Sequence, residues 1–183
     1  MKFNQNNIKR AIVSAFVVGS VGISAASYAN TSMLVSTTVG ASCVLSIDTT
    51  MTFANYDPVL AHATDDLTKT QSISAQCTSG MSAKINLNAG LNASNAAPSA
   101  DAEGPLRRMK HTVGGVDHYL TYNLYTTNGE IADVWGGGST GGKVYTGTGS
   151  AEPLTIYGRV QANQAAIYNA QYTDTVIVSY ALG

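Results

Sequence analysis

Apolar and polar residues alternate with period two along most of this chain, and past residue 29 no apolar stripe at helical spacing runs for a useful length. The clearest case lies near the C-terminus. Over residues 172–180, Val176, Val178 and Tyr180 share one face while Thr173, Thr175 and Ser179 share the other, the mark of a half-buried strand. Further strands are predicted from Cys43, over residues 70–77 with Ile73, Ala75 and Cys77 inward, and over 83–88 with Ile85 and Leu87 inward. Two more are expected over 118–126, where Leu120, Tyr122 and Leu124 alternate with Tyr119, Thr121, Asn123 and Tyr125, and over 154–160.

Turn chemistry separates these strands. Asp57-Pro58 turns the chain, Gly114-Gly115 precedes the 118–126 strand, and Asn128-Gly129 is a hairpin signal. Residues 90–104, rich in Ala, Asn and Ser, read as a mobile low-complexity loop, and the glycines over 136–142 as a flexible connection. About seven short strands joined this way predict an all-β, antiparallel Greek-key sandwich. The last strand has no successor in this sequence to cover its edge, and a bare apolar edge is a site for strand addition.

Ahead of Cys43, the odd positions Thr31, Met33, Val35, Thr37, Val39 and Ala41 form an apolar-leaning face against mostly Ser and Thr. This parity suits either a free arm hinged at Gly40 or the start of the domain's own first strand. Residues 1–29 read as a secretory signal: Lys2, Lys9 and Arg10, an apolar run over 11–23, then Ser27-Tyr28-Ala29 as a small-x-small cleavage site. The apolar run is too short for a membrane span, which needs about 20 residues.

Without those residues the chain keeps seven basic residues against eleven acidic ones, a formal charge of −4, which argues against a nucleic-acid partner. Export bears on the cysteines. Cys43 and Cys77 are the only two, and an exported chain normally pairs them; a loop of that size is worth about 4 kcal/mol in the chain-entropy model. Reactive or metal-binding thiols are the alternatives, with no His or acid near either Cys at ligand spacing.

No catalytic chemistry stands out. Residues 137–144 nearly spell a phosphate loop, but Val144 stands where a magnesium-binding hydroxyl belongs, and no helix is predicted after it. His111 and His118 bracket the Gly-Gly turn at a spacing that matches no common zinc pattern, His62 is remote, and all three read as surface histidines. Asp57, Asp65 and Asp66 lack the alternating acid loop and distal Glu of a calcium site. The ten tyrosines could form a sugar-binding platform, but most occupy strand positions where Tyr is simply a good β former. Hence no enzyme, cofactor, metal or small-molecule substrate is expected.

A set of ordered motifs resembles the spore coat protein U domain family, which includes subunits of archaic chaperone–usher pili such as the Csu pili. The set comprises Cys43, the turn over 53–58, Cys77, Arg108 near Met109, the run over 120–125, Val134-Trp135-Gly136, the run over 156–160, Gln164 and the run over 172–176. Ala54, where the family usually has Gly, and Ala162-Asn163-Gln164, where it has Pro-x-Gly-Gln, depart from its pattern in turn geometry only.

The resemblance implies an incomplete immunoglobulin-like Greek-key sandwich lacking its final strand, completed by donor-strand complementation. It implies a division into signal peptide (1–29), N-terminal arm (30–41) and sandwich (42–183). Thr31, Met33, Val35, Thr37 and Val39 would then be the donor strand, and Val176, Val178 and Tyr180 would floor the acceptor groove. The implied partners are a periplasmic pilus chaperone, an outer-membrane usher and neighbouring subunits. Export through the periplasm to a cell-surface fimbria, with adhesion and biofilm formation, is the implied setting. The alternative is a self-complete secreted sandwich that binds a surface polymer or carbohydrate.

Overall fold

In a computed structural model, residues 31–47, 50–94, 106–128, 134–137 and 141–183 are described, and every element of four or more residues among them is a strand. The predicted signal sequence, most of the predicted 90–104 loop, Gly129 of the predicted hairpin turn and part of the glycine run lie outside the described residues. The chain divides into two units, Met1–Thr37 and Thr38–Gly183. Of the first, residues 31–37 belong to no strand, and Met33 and Val35 are exposed.

The second unit contains β1 (Cys43–Ser46), β2 (Leu67–Cys77), β3 (Ser82–Leu87), β4 (Arg107–Val113), β5 (Val116–Tyr125), β6 (Lys143–Thr146), β7 (Glu152–Val160) and β8 (Val178–Leu182). Every pairing is antiparallel. One sheet has the order β1-β2-β7-β5-β4, the other β6-β3-β8. Period-two parity explains the core: Ile73, Ala75 and Cys77 of β2, Leu120, Tyr122 and Leu124 of β5, and Leu154, Ile156 and Val160 of β7 are buried together. Ala83, Ile85 and Leu87 of β3 join the same cluster. Cys43 lies directly opposite Cys77 in the β1–β2 ladder, and the two form a disulfide.

Three expectations need correction. The glycine-rich stretch predicted as a mere connection leads into a strand, β6, whose Tyr145 is buried and donates its hydroxyl to the Ala75 carbonyl (3.2 Å). Four residues carry too little alternation to mark a strand. Next, the stretch before Gly114-Gly115, over which the sequence predicts no strand, forms β4, paired with β5 along its whole length.

Finally, residues 172–180 are not one continuous strand. Thr173 makes an isolated bridge to Lys110 of β4 in the five-stranded sheet (2.8 and 3.0 Å), whereas the ladder of β8 to β3, in the other sheet, begins only at Val178. The segment crosses from one sheet to the other, so its backbone partners change midway.

Trp135 and Arg107 hold the sheets together where that crossing occurs. The Trp135 indole donates to the Ile85 carbonyl (2.8 Å) from a fully buried position. Arg107, also fully buried, donates to the carbonyls of Leu87 (2.9 Å), Asn88 (2.9 and 2.7 Å) and Trp135 (2.8 Å) and to Asn123 Oδ1 (2.8 Å). Burial lowers its pKa to about 10, so it remains charged at neutral pH, its charge spread over neutral oxygens. The adjacent Arg108, the arginine of the family-like motif, instead lies over the Tyr119 ring on the outer face, 4.0 Å from its centroid.

Candidate functional site

An open cleft of about 710 Å³ runs into the core between two irregular segments. One wall is residues 50–56, the other residues 170–176 continuing to Val178. The floor is apolar: Leu67, Leu120, Leu124, Ile156 and Val160 come from the five-stranded sheet, and Leu87 comes from the other. Among the described residues, this row of aliphatic side chains faces an open gap with no strand laid over it.

The first wall owes its place to a glycine. Gly158 follows the inward parity of Leu154, Ile156 and Val160, and a Cβ there would come within 2.6 Å of Met51 Sδ and 2.8 Å of Phe53 Cζ. Without a side chain at that position, both can settle onto β7. The far end of this wall is pinned by Tyr56. Its hydroxyl donates to the Gln161 carbonyl (3.0 Å) and accepts from the Gln164 N–H (3.0 Å), and its ring stacks on His62 at 5.1 Å.

The second wall is held by polar contacts. Asp174 accepts hydrogen bonds from the Tyr122 hydroxyl (2.8 Å), the Leu91 N–H (2.9 Å) and Asn92 Nδ2 (3.0 Å). Burial, and then the facing Asp174 carboxylate, push the Tyr122 pKa up, so the phenol stays a donor. Gly90 has a φ of +79°, and a Cβ at this left-handed position would fall on the Asp174 carboxylate, so that turn requires glycine. One residue past Val176, the backbone of Ile177 pairs with Asn88, donating to its Oδ1 (2.8 Å) while its carbonyl accepts from the Asn88 N–H (3.0 Å).

Two sheet edges are open beside this cleft. β8 ends the three-stranded sheet and β1 ends the five-stranded one, and the two strands approach each other. Each therefore has a neighbour on one side only among the described residues.

Of the residues expected to floor a groove, Val176 and Val178 line the cleft and pack against the core. Tyr180 does not: it lies outside the lining, 41% exposed, paired with Ile85 at the edge of its sheet. An edge strand covers its inward residues from one side only, which leaves this ring half in solvent. Thr31, Met33, Val35, Thr37 and Val39 are all exposed. Met51, Phe53, Tyr56 and Asp174 also line the cleft, and of these Phe53, Tyr56 and Asp174 fall within the family-like runs over 53–58 and 172–176. Their pairing across the cleft has no signal in local periodicity.

The family model for the Spore Coat Protein U domain matches residues 29–179. Protein U of Myxococcus xanthus is 35% identical over 132 residues, covering 71% of this chain and 70% of that protein. Among solved structures, the complex of the chaperone CsuC and the tip adhesion subunit CsuE from archaic chaperone–usher Csu pili of Acinetobacter baumannii contains a similar fold. Its TM-score is 0.52 at 17% identity, and the match covers 78% of this chain but only 40% of that one.

Proposed function

The chain belongs to the Spore Coat Protein U domain family, and from this premise we propose that it is a structural subunit of a chaperone–usher pilus, polymerising by donor-strand exchange and supporting adhesion and biofilm formation. The observation that carries the proposal is the open apolar cleft of about 710 Å³, flanked by two sheet edges that each have one neighbour among the described residues. A strand added there from another molecule would gain main-chain hydrogen bonds and seat alternate side chains on the apolar floor. It would complete an immunoglobulin-like sandwich that lacks its last strand. This is a structural task and involves no catalysis.

The donor is the arm, residues 30–41, ahead of the sandwich, 42–183, after removal of a signal over 1–29. Met33, Val35 and Val39 supply the apolar plugs on the same parity as Thr31 and Thr37. Burying three such side chains contributes roughly 5–9 kcal/mol before ordering costs, comparable with the stability of a whole domain. A periplasmic chaperone would fill the cleft first, an outer-membrane usher would oversee the exchange, and the arm of the next subunit would replace the chaperone on the way to the cell surface.

The test uses a chain that begins at Gly40. It should still be captured by its chaperone yet fail to polymerise. A free peptide of residues 31–39 at a hundred times its Kd should raise the Tm by roughly 5–10 °C. Loss of chaperone capture on truncation, or no shift with peptide, would assign the arm to its own sandwich. A self-complete sandwich would instead behave as a monomer indifferent to the peptide.

A further inference from the structure

The two histidines that bracket Gly114-Gly115 are brought face to face by the β4–β5 hairpin. Gly114 and Gly115 have φ of +57° and +79°, the left-handed pair that a two-residue primed turn demands, and Val113 closes the turn against Val116. Counting back from that closing pair, His111 lies directly opposite His118 at a hydrogen-bonded position, where Cα atoms are about 5.5 Å apart and both side chains leave the same face. Met109 and Leu120, the preceding pair on that face, line the cleft, so the histidines continue its row toward the hairpin tip.

The His111 ring is already oriented. Its Nδ1 lies 3.1 Å from the Gln171 carbonyl, and the ring packs on Tyr172 with centroids 5.6 Å apart. A carbonyl only accepts, so Nδ1 carries the proton and the Nε2 lone pair is left available, the arrangement by which a backbone carbonyl positions a metal-binding histidine. Two imidazole nitrogens on one tetrahedral ion stand about 3.3 Å apart, within reach of side chains from adjacent strands. Lys110, Thr112, Asp117 and Tyr119 form their own hydrogen-bonded group on the opposite face.

We propose that His111 and His118 form a two-histidine site for a late first-row divalent ion, of which zinc is the representative, at the hairpin end of the cleft. Imidazole suits zinc, copper and nickel and not the hard alkaline-earth ions. The described residues hold no cluster of three or more His, Cys, Asp or Glu, so water completes the coordination. The site stands independently of the pilus proposal.

Zinc titration of the full chain, prepared without a histidine tag and followed by calorimetry, tests the site. One ion per chain is expected, with no comparable response to magnesium or calcium. His118→Gln should lower the affinity at least about tenfold with an unchanged circular dichroism spectrum, while His62→Gln should leave it unaltered. Absence of zinc binding, equal binding by His118→Gln, or loss of binding in His62→Gln would each overturn the assignment.

Discussion

Adding one methyl group at Gly158 tests how the cleft keeps its shape. A Cβ at this position would lie 2.6 Å from Met51 Sδ, 2.8 Å from Phe53 Cζ and 3.3 Å from the Lys69 carbonyl oxygen. The thioether can swing aside, but the Phe53 ring tip and the backbone carbonyl cannot both yield without moving the 50–56 wall. Overpacking of this kind costs about 1–3 kcal/mol, offset by about 0.4–1 kcal/mol from the lower entropy of the unfolded alanine chain. A net loss of about 1–2 kcal/mol is therefore expected for Gly158→Ala in the denaturant midpoint of the full chain, and a larger one for Gly158→Val. Gly40→Ala, with nothing within 4 Å of the added carbon, should stay within about 0.5 kcal/mol of the parent. Because Met51 lies in contact, Gly158→Ala and Met51→Ala should couple in a double-mutant cycle, the second change relieving part of the first. Stability of Gly158→Ala equal to the parent's, or strict additivity with Met51→Ala, would refute the idea that the missing side chain seats this wall.

Val178→Asp would put a charge on the cleft lining that an incoming strand must bury at a cost of several kcal/mol, and should abolish capture by the chaperone; Ile177→Asp, exposed and outside the lining, should be captured nearly as well. Pull-down of the two variants with the chaperone checks this, and equal capture would misplace the cleft. Arg107→Leu should cost about 3–5 kcal/mol, because the carbonyls of Leu87, Asn88 and Trp135 lose their buried donor, and Arg107→Lys should recover only part, since an ammonium cannot reproduce the fork. Chemical denaturation of both variants measures the difference.

Local pattern was enough for the strand class and for the inward residues of β2, β3 and β5, because side-chain parity depends only on the residue's own place in an extended chain, and the export signal pointed to the cysteine pairing. It was not enough to separate Arg107 from Arg108. The two are adjacent and chemically identical, and only the register of β4 on β5 turns one into the core and leaves the other over Tyr119. His111 and His118 likewise looked like isolated surface residues until the hairpin register set them opposite each other.

What the chain alone determined is therefore periodic and short in range: extended segments, their apolar faces, the glycines at the hairpin turn and the alternating parity ahead of Cys43. Which strands become neighbours was decided by the tertiary structure. The 172–180 run shows why. Its alternation is unbroken, yet Thr173 bonds to β4 and Val178 to β3, so the same parity serves two sheets and opens a cleft between them. Hydrogen-bond partners far apart in sequence are chosen by what else packs against the core. No period within a single segment encodes that choice.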